Sequence, residues 1–252
     1  MIVSHKHKFI FIKPYKVAGT SVEINLAKHC GPRDIVTTVA PYRPSVDGTP
    51  YNHDPQNNFG YYEHVNVQAA KLRLPKKIWE SYFKFSVVRS TWQVAVSFYY
   101  NKKHAYESGR ASLNPFKKSI FEPFFYCSDF LLQGQFFPRL KYKRITYKVL
   151  DDFKDFTRTY PFFLSNDQFY FDKNGEFALD HCIKFKNLKE GYKKICQKLD
   201  IPYEKLPRTK TEMRNRKKSL TEHYGQKSRK RVRKQFKKTV DYFGYKFPGS
   251  GK

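Results

Sequence analysis

Little in this sequence supports a metal-binding, disulfide-linked or membrane-spanning protein. The 252 residues include only four cysteines, which lie far apart with no Cys-x-x-Cys pair. This spacing argues against a zinc site and favours free thiols. No signal-peptide pattern is present, and no apolar run approaches the roughly 18 residues that a membrane-spanning helix needs. We therefore expect a soluble cytoplasmic protein that binds no metal.

Acidic residues are also scarce. Lys and Arg number 49 against 22 Asp and Glu, which gives a formal net charge of +27. About half of that excess lies between Lys205 and Lys238, where fifteen Lys or Arg accompany two Glu. Such a charge implies an anionic partner: a nucleotide, an acidic glycan, a nucleic acid or a membrane surface. Composition does not choose among these partners.

The nucleotide loop of ordinary ATPases, Gly-x-x-x-x-Gly-Lys-Ser/Thr, is absent. Strand-like runs at 8–13, 83–88, 144–150 and 178–186 instead alternate with helical patterns. This alternation predicts an α/β fold with a mainly parallel central sheet flanked by helices. We expect a single domain over residues 1–252, with the basic loop and helix at 204–245 as part of it.

Helix signals divide the chain further. Thr20 with Glu23, and Asn187 with Glu190, have the spacing of capping boxes at two helix starts. A helix is expected from about Thr91, and one last helix over 226–243. The apolar residues of two helices predict their buried faces: Trp92, Ala95, Val96 and Tyr99 in the first, and Leu188, Tyr192, Ile195 and Leu199 in the helix after Asn187.

Two segments combine a buried strand, a short loop and a helix. The first, over residues 9–23, has a lysine and a glycine in its loop, at Lys16 and Gly19. The second, over 83–99, ends its strand at Arg89 and carries Ser97 on the helix that follows. Strand-loop-helix units direct backbone N–H groups and a helix N-terminus at an anion, above all a phosphate. Two such units predict a ligand with two separated phosphate-like groups.

Together these segments resemble the carbohydrate sulfotransferases that use 3′-phosphoadenosine 5′-phosphosulfate. In that family a Pro-Lys-Thr-Gly-Gly-Thr-Ser-like loop holds the 5′-phosphosulfate, and residues 15–21 are similar to it. A later Val-Arg-Asn-Pro-Trp-Asp-Arg-x-x-Ser-like segment holds the 3′-phosphate, and residues 88–99 are similar to that segment. Thr91 and Val94 depart from it, because the family has proline and a second arginine there. The resemblance implies a P-loop-like sulfotransferase fold.

The resemblance also implies roles for particular residues. Lys16 would lie beside the bridging oxygen of the donor, and the rest of the loop would bind the phosphosulfate through Val17, Ala18, Gly19, Thr20 and Ser21. Arg89 and Ser97 would bind the 3′-phosphate, and a later basic loop would add Arg216 and Lys217.

A general base must take the proton of the acceptor hydroxyl, and histidine suits that step because its ordinary pKa is near neutral. His64 lies in a segment similar to the one where relatives place the base, and Glu63 is the alternative. The implied reaction is in-line sulfuryl transfer to a carbohydrate hydroxyl, with acidic glycans among the candidate acceptors. Two other hypotheses stay open: a nucleic-acid-binding protein that uses the basic C-terminal region, although no nucleic-acid-binding signature is present, and a kinase-like phosphotransferase.

Overall fold

The computed structural model describes residues 1–38, 53–107, 150–159, 165–207 and 218–249. Five strands lie in this part of the chain: β1 Ile2–Ser4, β2 Phe9–Phe11, β3 Ile35–Val36, β4 Phe83–Val88 and β5 His181–Lys184. Eight α-helices lie there as well: α1 Gly19–Ala27, α2 Val67–Arg73, α3 Lys76–Ser81, α4 Thr91–Glu107, α5 Phe153–Thr159, α6 Leu188–Leu199, α7 Gln226–Gln235 and α8 Lys237–Phe243. None of these helices combines the length and apolar character that crossing a membrane requires.

The strands form one mixed sheet in the order β3-β1-β2-β4-β5. β2, β4 and β5 run parallel, whereas β1 pairs antiparallel with both β2 and β3. The predicted α/β class is confirmed, and the parallel arrangement applies to the β2–β4–β5 half of the sheet. β1 is antiparallel to β2 because only residues 5–8 connect these two strands, and a parallel pair needs a long crossover. The expected strand at 144–150 lies, except for Leu150, outside the described residues.

Contacts divide the chain into two compact units, Met1–Arg89 with Gln168–Glu212, and Ser90–Asp167 with Met213–Lys252. The first unit contains the sheet with α1, α2, α3 and α6. Its core includes packed aromatic rings of β2 and β4, with the Phe11 and Phe85 centroids 5.2 Å apart and the rings tilted by 40°. That these units together make one functional domain stays a prediction.

Helix α6 lies against β5 because Gly191 has no side chain. A Cβ at Gly191 would come within 2.4 Å of Ile183 Cγ2. Of the residues of α6 expected to face the core, Tyr192, Ile195 and Leu199 are buried, whereas Leu188 at the helix start is only half-buried. Asn187 precedes the helix, but its side chain makes no capping hydrogen bond, so the capping box predicted there is wrong.

In the second unit, α4 begins at Thr91 and buries the face expected from its sequence, namely Trp92, Ala95, Val96 and Tyr99. The single helix expected over 226–243 is two helices, because Phe236 leaves the helical conformation at φ −101° and ψ 32°. Asp167 accepts hydrogen bonds at 3.1 Å from the backbone N–H groups of Lys238 and Thr239. These N–H groups belong to the first turn of α8, so a distant carboxylate stabilises the second helix start.

One carboxylate holds the β1–β2 turn to the segment before β3. The Asp34 side chain accepts hydrogen bonds from Ser4 Oγ at 2.7 Å, His5 N at 2.7 Å, Gly31 N at 2.8 Å and Lys6 N at 3.2 Å. Burial works to raise the pKa of Asp34, but these donors outweigh it and hold the pKa below its ordinary value.

We expect Asp34→Ala to lower the free energy of unfolding by about 2 kcal/mol at pH 7, because it leaves several buried donors unsatisfied. A carboxylate with a lowered folded-state pKa stabilises the fold above its unfolded-state pKa, and that contribution is lost as pH falls through the folded value. The difference in the free energy of unfolding between parent and variant should therefore become smaller below about pH 4. Urea unfolding at pH 7 and pH 3 measures both effects. Asp54→Ala, at an exposed carboxylate, is the control, and an equal loss in both variants would contradict the role of Asp34.

Candidate functional site

The loop between β2 and α1 has an unusual backbone. Lys16 and Ala18 adopt left-handed conformations at φ 61° and φ 66°, whereas Val17 between them does not. Each left-handed non-glycine residue costs on the order of 1 kcal/mol, and such strain concentrates at binding and catalytic sites. Alternation of this kind turns neighbouring N–H groups to one side, as in anion-binding backbone nests. The loop therefore has the local geometry of an anion site.

Helix α1 starts directly after this loop, at Gly19, and receives no side-chain cap at Ala18. The predicted capping box is wrong, because Thr20 already lies inside the helix and the Glu23 side chain is turned into the protein interior. Ser21 N donates to the carbonyl oxygen of Ala18 at 3.1 Å, so the N–H groups of Gly19 and Thr20 are the ones that the first turn offers to an anion.

Glu23 belongs to a buried cluster of charges beneath the loop. Its carboxylate contacts the Lys13 ammonium and lies 2.8 Å from the α-amino group of Met1. Lys13 Nζ also lies 3.0 Å from Glu63 Oε1. The side chains of Lys13 and Glu23 are 1% and 0% exposed, so each charge depends on its partners to offset the loss of water.

The pKa values in the cluster follow from that balance. Burial works to lower the pKa of Lys13, but the carboxylates of Glu23 and Glu63 outweigh it and raise the pKa. Burial works to raise the pKa of Glu23, but the Lys13 ammonium and the α-amino group hold it well below its usual range. Both groups are charged at neutral pH.

The Lys13 side chain also explains why residue 19 is a glycine. A Cβ on Gly19 would lie 2.8 Å from Lys13 Cγ, so the missing side chain gives the buried lysine stem its space. The sequence did not single out Lys13, because the resemblance assigned the lysine beside the bridging oxygen of the donor to Lys16. Two ionisable residues in apolar surroundings were the available signal. Lys13 directly follows the apolar run at 9–12, and Glu23 lies among the apolar residues of α1.

His64 is attached to the same loop. Its Nδ1 lies 2.8 Å from the carbonyl oxygen of Lys13. A carbonyl oxygen only accepts hydrogen bonds, so Nδ1 carries the proton and Nε2 is the basic nitrogen. The Tyr15 ring covers the imidazole with its centroid 4.0 Å away. Burial lowers the pKa of His64 to about 4, against the opposing effect of Glu63, so the ring is neutral at pH 7 and able to accept a proton.

Arg89 joins the ends of two parallel strands. It follows β4, and its Nη1 donates a 3.0 Å hydrogen bond to the carbonyl oxygen of Lys16. The guanidinium lies 4.3 Å from the centroid of the Phe185 ring. Arg89 therefore supports the backbone of the loop, and its predicted pairing with a 3′-phosphate stays a prediction.

The first unit contains most of the predicted site: Lys16, Val17, Ala18, Gly19, Thr20, Ser21, Glu63, His64 and Arg89. Val17 is fully buried, and the hydroxyl residues Thr20 and Ser21 are nearly buried. Ser97 is half-buried on α4 in the second unit, and Arg216 and Lys217 lie outside the described residues.

Within the described ranges, no group of three or more His, Cys, Asp or Glu side chains is arranged to hold a metal ion. Comparisons of the chain with protein-family models, with curated proteins and with solved structures find no match. The sulfotransferase fold and family therefore stay expectations from the resemblance, and the function must be inferred from the site itself.

We expect Glu23→Gln to lower the free energy of unfolding by about 3–5 kcal/mol, because it leaves the Lys13 ammonium with an uncompensated share of buried charge. Urea unfolding at pH 7 measures the loss. Glu204→Gln removes the exposed partner of Lys28 and should cost under about 1 kcal/mol. Equal effects of the two substitutions would show that the buried cluster is not a stabilising element.

Proposed function

We propose that this chain transfers the sulfuryl group of 3′-phosphoadenosine 5′-phosphosulfate to a hydroxyl of a carbohydrate acceptor. The observation that carries the proposal is the 12–18 loop, where left-handed Lys16 and Ala18 lead into the uncapped N-terminus of α1. A neutral histidine held by the same loop adds a base to this anion site.

In the proposed reaction, the acceptor oxygen forms a bond to sulfur as the bond between sulfur and the bridging phosphate oxygen breaks. The acceptor proton passes to His64 Nε2, and 3′-phosphoadenosine 5′-phosphate leaves. The loop N–H groups and the Lys16 ammonium stabilise the charge that develops on the leaving phosphate. Binding both substrates in line supplies much of the remaining rate enhancement. Arg89 and Ser97 are the proposed ligands of the 3′-phosphate, and Arg216 and Lys217 are further candidates.

The basic C-terminal helices favour a second candidate, a protein that binds nucleic acid through its phosphates. Lys227, Lys230 and Lys234 are exposed on α7, and in the part of the chain that the structure describes no carboxylate lies within 4 Å of them. Nucleic-acid binding by this surface would explain the high positive charge of the chain, but not the left-handed backbone conformations of the 12–18 loop.

Calorimetry with 3′-phosphoadenosine 5′-phosphate tests the leading proposal. We expect binding that exceeds that of AMP and ATP at least tenfold, because only the bisphosphate engages both anion sites. Lys16→Ala and Arg89→Ala should each weaken binding at least tenfold, which corresponds to about 1.4 kcal/mol.

Lys28→Ala, at an exposed lysine of the same unit, is the matched control and should bind as the parent does. Thermal unfolding of each variant separates lost binding from lost folding. Equal affinity for AMP and the bisphosphate would overturn the proposal. Preference for ATP with magnesium would favour a phosphotransferase, and salt-sensitive binding of duplex DNA unaffected by Lys16→Ala would favour the second candidate.

The pH dependence of transfer tests the base. His64 acts in its unprotonated form, so kcat/KM should fall only as pH drops towards about 4, the pKa set by burial of the ring. His64→Ala should lower kcat at least 100-fold, in the range that general base catalysis supplies. His181→Ala, at an exposed histidine of β5, should leave the rate unchanged. If kcat/KM instead fell with a midpoint near 6.5, the ordinary histidine pKa, the general base would be a residue other than His64.

A further inference from the structure

The 12–18 loop contacts His64 through two of its residues. The carbonyl oxygen of Lys13 accepts a hydrogen bond from His64 Nδ1 at 2.8 Å, and the Tyr15 ring centroid lies 4.0 Å from that of the imidazole. Lys13 also lies against the start of α1, since its Cγ would be 2.8 Å from a Cβ on Gly19. Lys13 therefore contacts both His64 and the helix start whose N–H groups face an anion.

Neighbouring charges act strongly on His64 because its side chain is only 16% exposed. Burial, the Lys13 ammonium and the α-amino group of Met1 disfavour the protonated ring, whereas Glu63 favours it. Burial has the largest effect and holds the pKa of His64 at about 4. An opposite charge within about 4–6 Å of an ionisable group typically changes its pKa by about 1–3 units, so an anion on the neighbouring loop would act on this ring.

The sign of that effect matters for the proposed reaction. A general base is most effective when its pKa lies near the working pH, so a pKa of about 4 makes His64 a weak base at pH 7. A negative charge on the loop favours the protonated ring and therefore strengthens the base. A rise of about 1–2 units still leaves the ring neutral at pH 7, so Nε2 keeps its lone pair for the acceptor proton.

We propose that an anion bound by the 12–18 loop raises the proton affinity of His64, so that the donor substrate itself strengthens the base. This inference rests on the anion site of the proposed function. The coupling between the two sites is a property of the protein with any small anion on the loop, so its test needs neither nucleotide nor acceptor.

Sulfate is the probe, because it resembles the sulfuryl group and keeps both negative charges throughout the range titrated. NMR of the ¹⁵N- and ¹³C-labelled protein follows each assigned histidine ring with pH. Saturating sulfate should raise the proton affinity of His64 at least tenfold, moving its titration midpoint from about 4 to about 5 or above. Sodium chloride at the same ionic strength should leave the midpoint at about 4.

His29 is the control within the same molecule. It follows the C-terminal end of α1, so the whole helix separates it from the N–H groups of Gly19 and Thr20. Its titration midpoint should not change with sulfate. The measurement compares two rings of the parent protein, so it does not depend on the folding of a variant.

Sulfate affinity provides the reciprocal measurement. If sulfate raises the proton affinity of His64, protonation of His64 must raise sulfate affinity by the same factor. Calorimetry should therefore show sulfate binding at least tenfold more tightly at pH 4 than at pH 7, beyond any pH dependence that remains in His64→Gln. Thermal unfolding checks that this variant is folded at both pH values.

Three results would overturn the proposal: a His64 midpoint unchanged by saturating sulfate, an equal change at His29, or no sulfate binding. A sulfate-dependent change at His64 alone would support it even in a protein that binds AMP and the bisphosphate equally. That second result would overturn the proposed transfer reaction, so the two proposals fail separately.

Discussion

The ion pairs of Lys13 with Glu23 and Glu63 connect three segments of the candidate site. Lys13 continues from β2, Glu23 lies on α1, and Glu63 precedes α2. Removing charges from water is expensive, so such a cluster stabilises a protein only when each charge meets its partner with good geometry. The cluster therefore restricts how the strand, the helix and the His64 segment can be placed around the 12–18 loop.

That restriction gives the strained loop its support. Left-handed conformations at Lys16 and Ala18 are unfavourable in isolation and need surrounding contacts to persist. The Lys13 side chain fills the space beside Gly19 on one side, and Arg89 holds the carbonyl oxygen of Lys16 on the other. A preorganised loop of this kind binds an anion without first losing conformational entropy, which is how fixed N–H groups stabilise developing charge.

The same contacts join the 12–18 loop to His64, the proposed base. His64 is oriented by the carbonyl oxygen of Lys13 and by the Tyr15 ring, and both residues belong to the segment that leads into α1. A group-transfer enzyme needs its donor site and its base at a fixed separation. In the proposed reaction, the hydrogen bond of His64 to the 12–18 loop would provide that constraint.

Local patterns in the sequence were sufficient for β4, for the start and buried face of α4, and for the apolar face of α6, because apolar periodicity depends on near neighbours. They also located the loop around Lys16 and the arginine at the end of β4. They did not find β1 or β3, whose few residues form strands only by pairing with partners elsewhere in the chain. They assigned Glu23 to a helix cap, since spacing alone cannot show which way a side chain turns. The sequence by itself therefore determined the α/β alternation and the two strand-end motifs, whereas only the tertiary structure decided that Lys13, Glu23, Glu63 and His64 form one cluster, because buried charges find their partners through long-range packing.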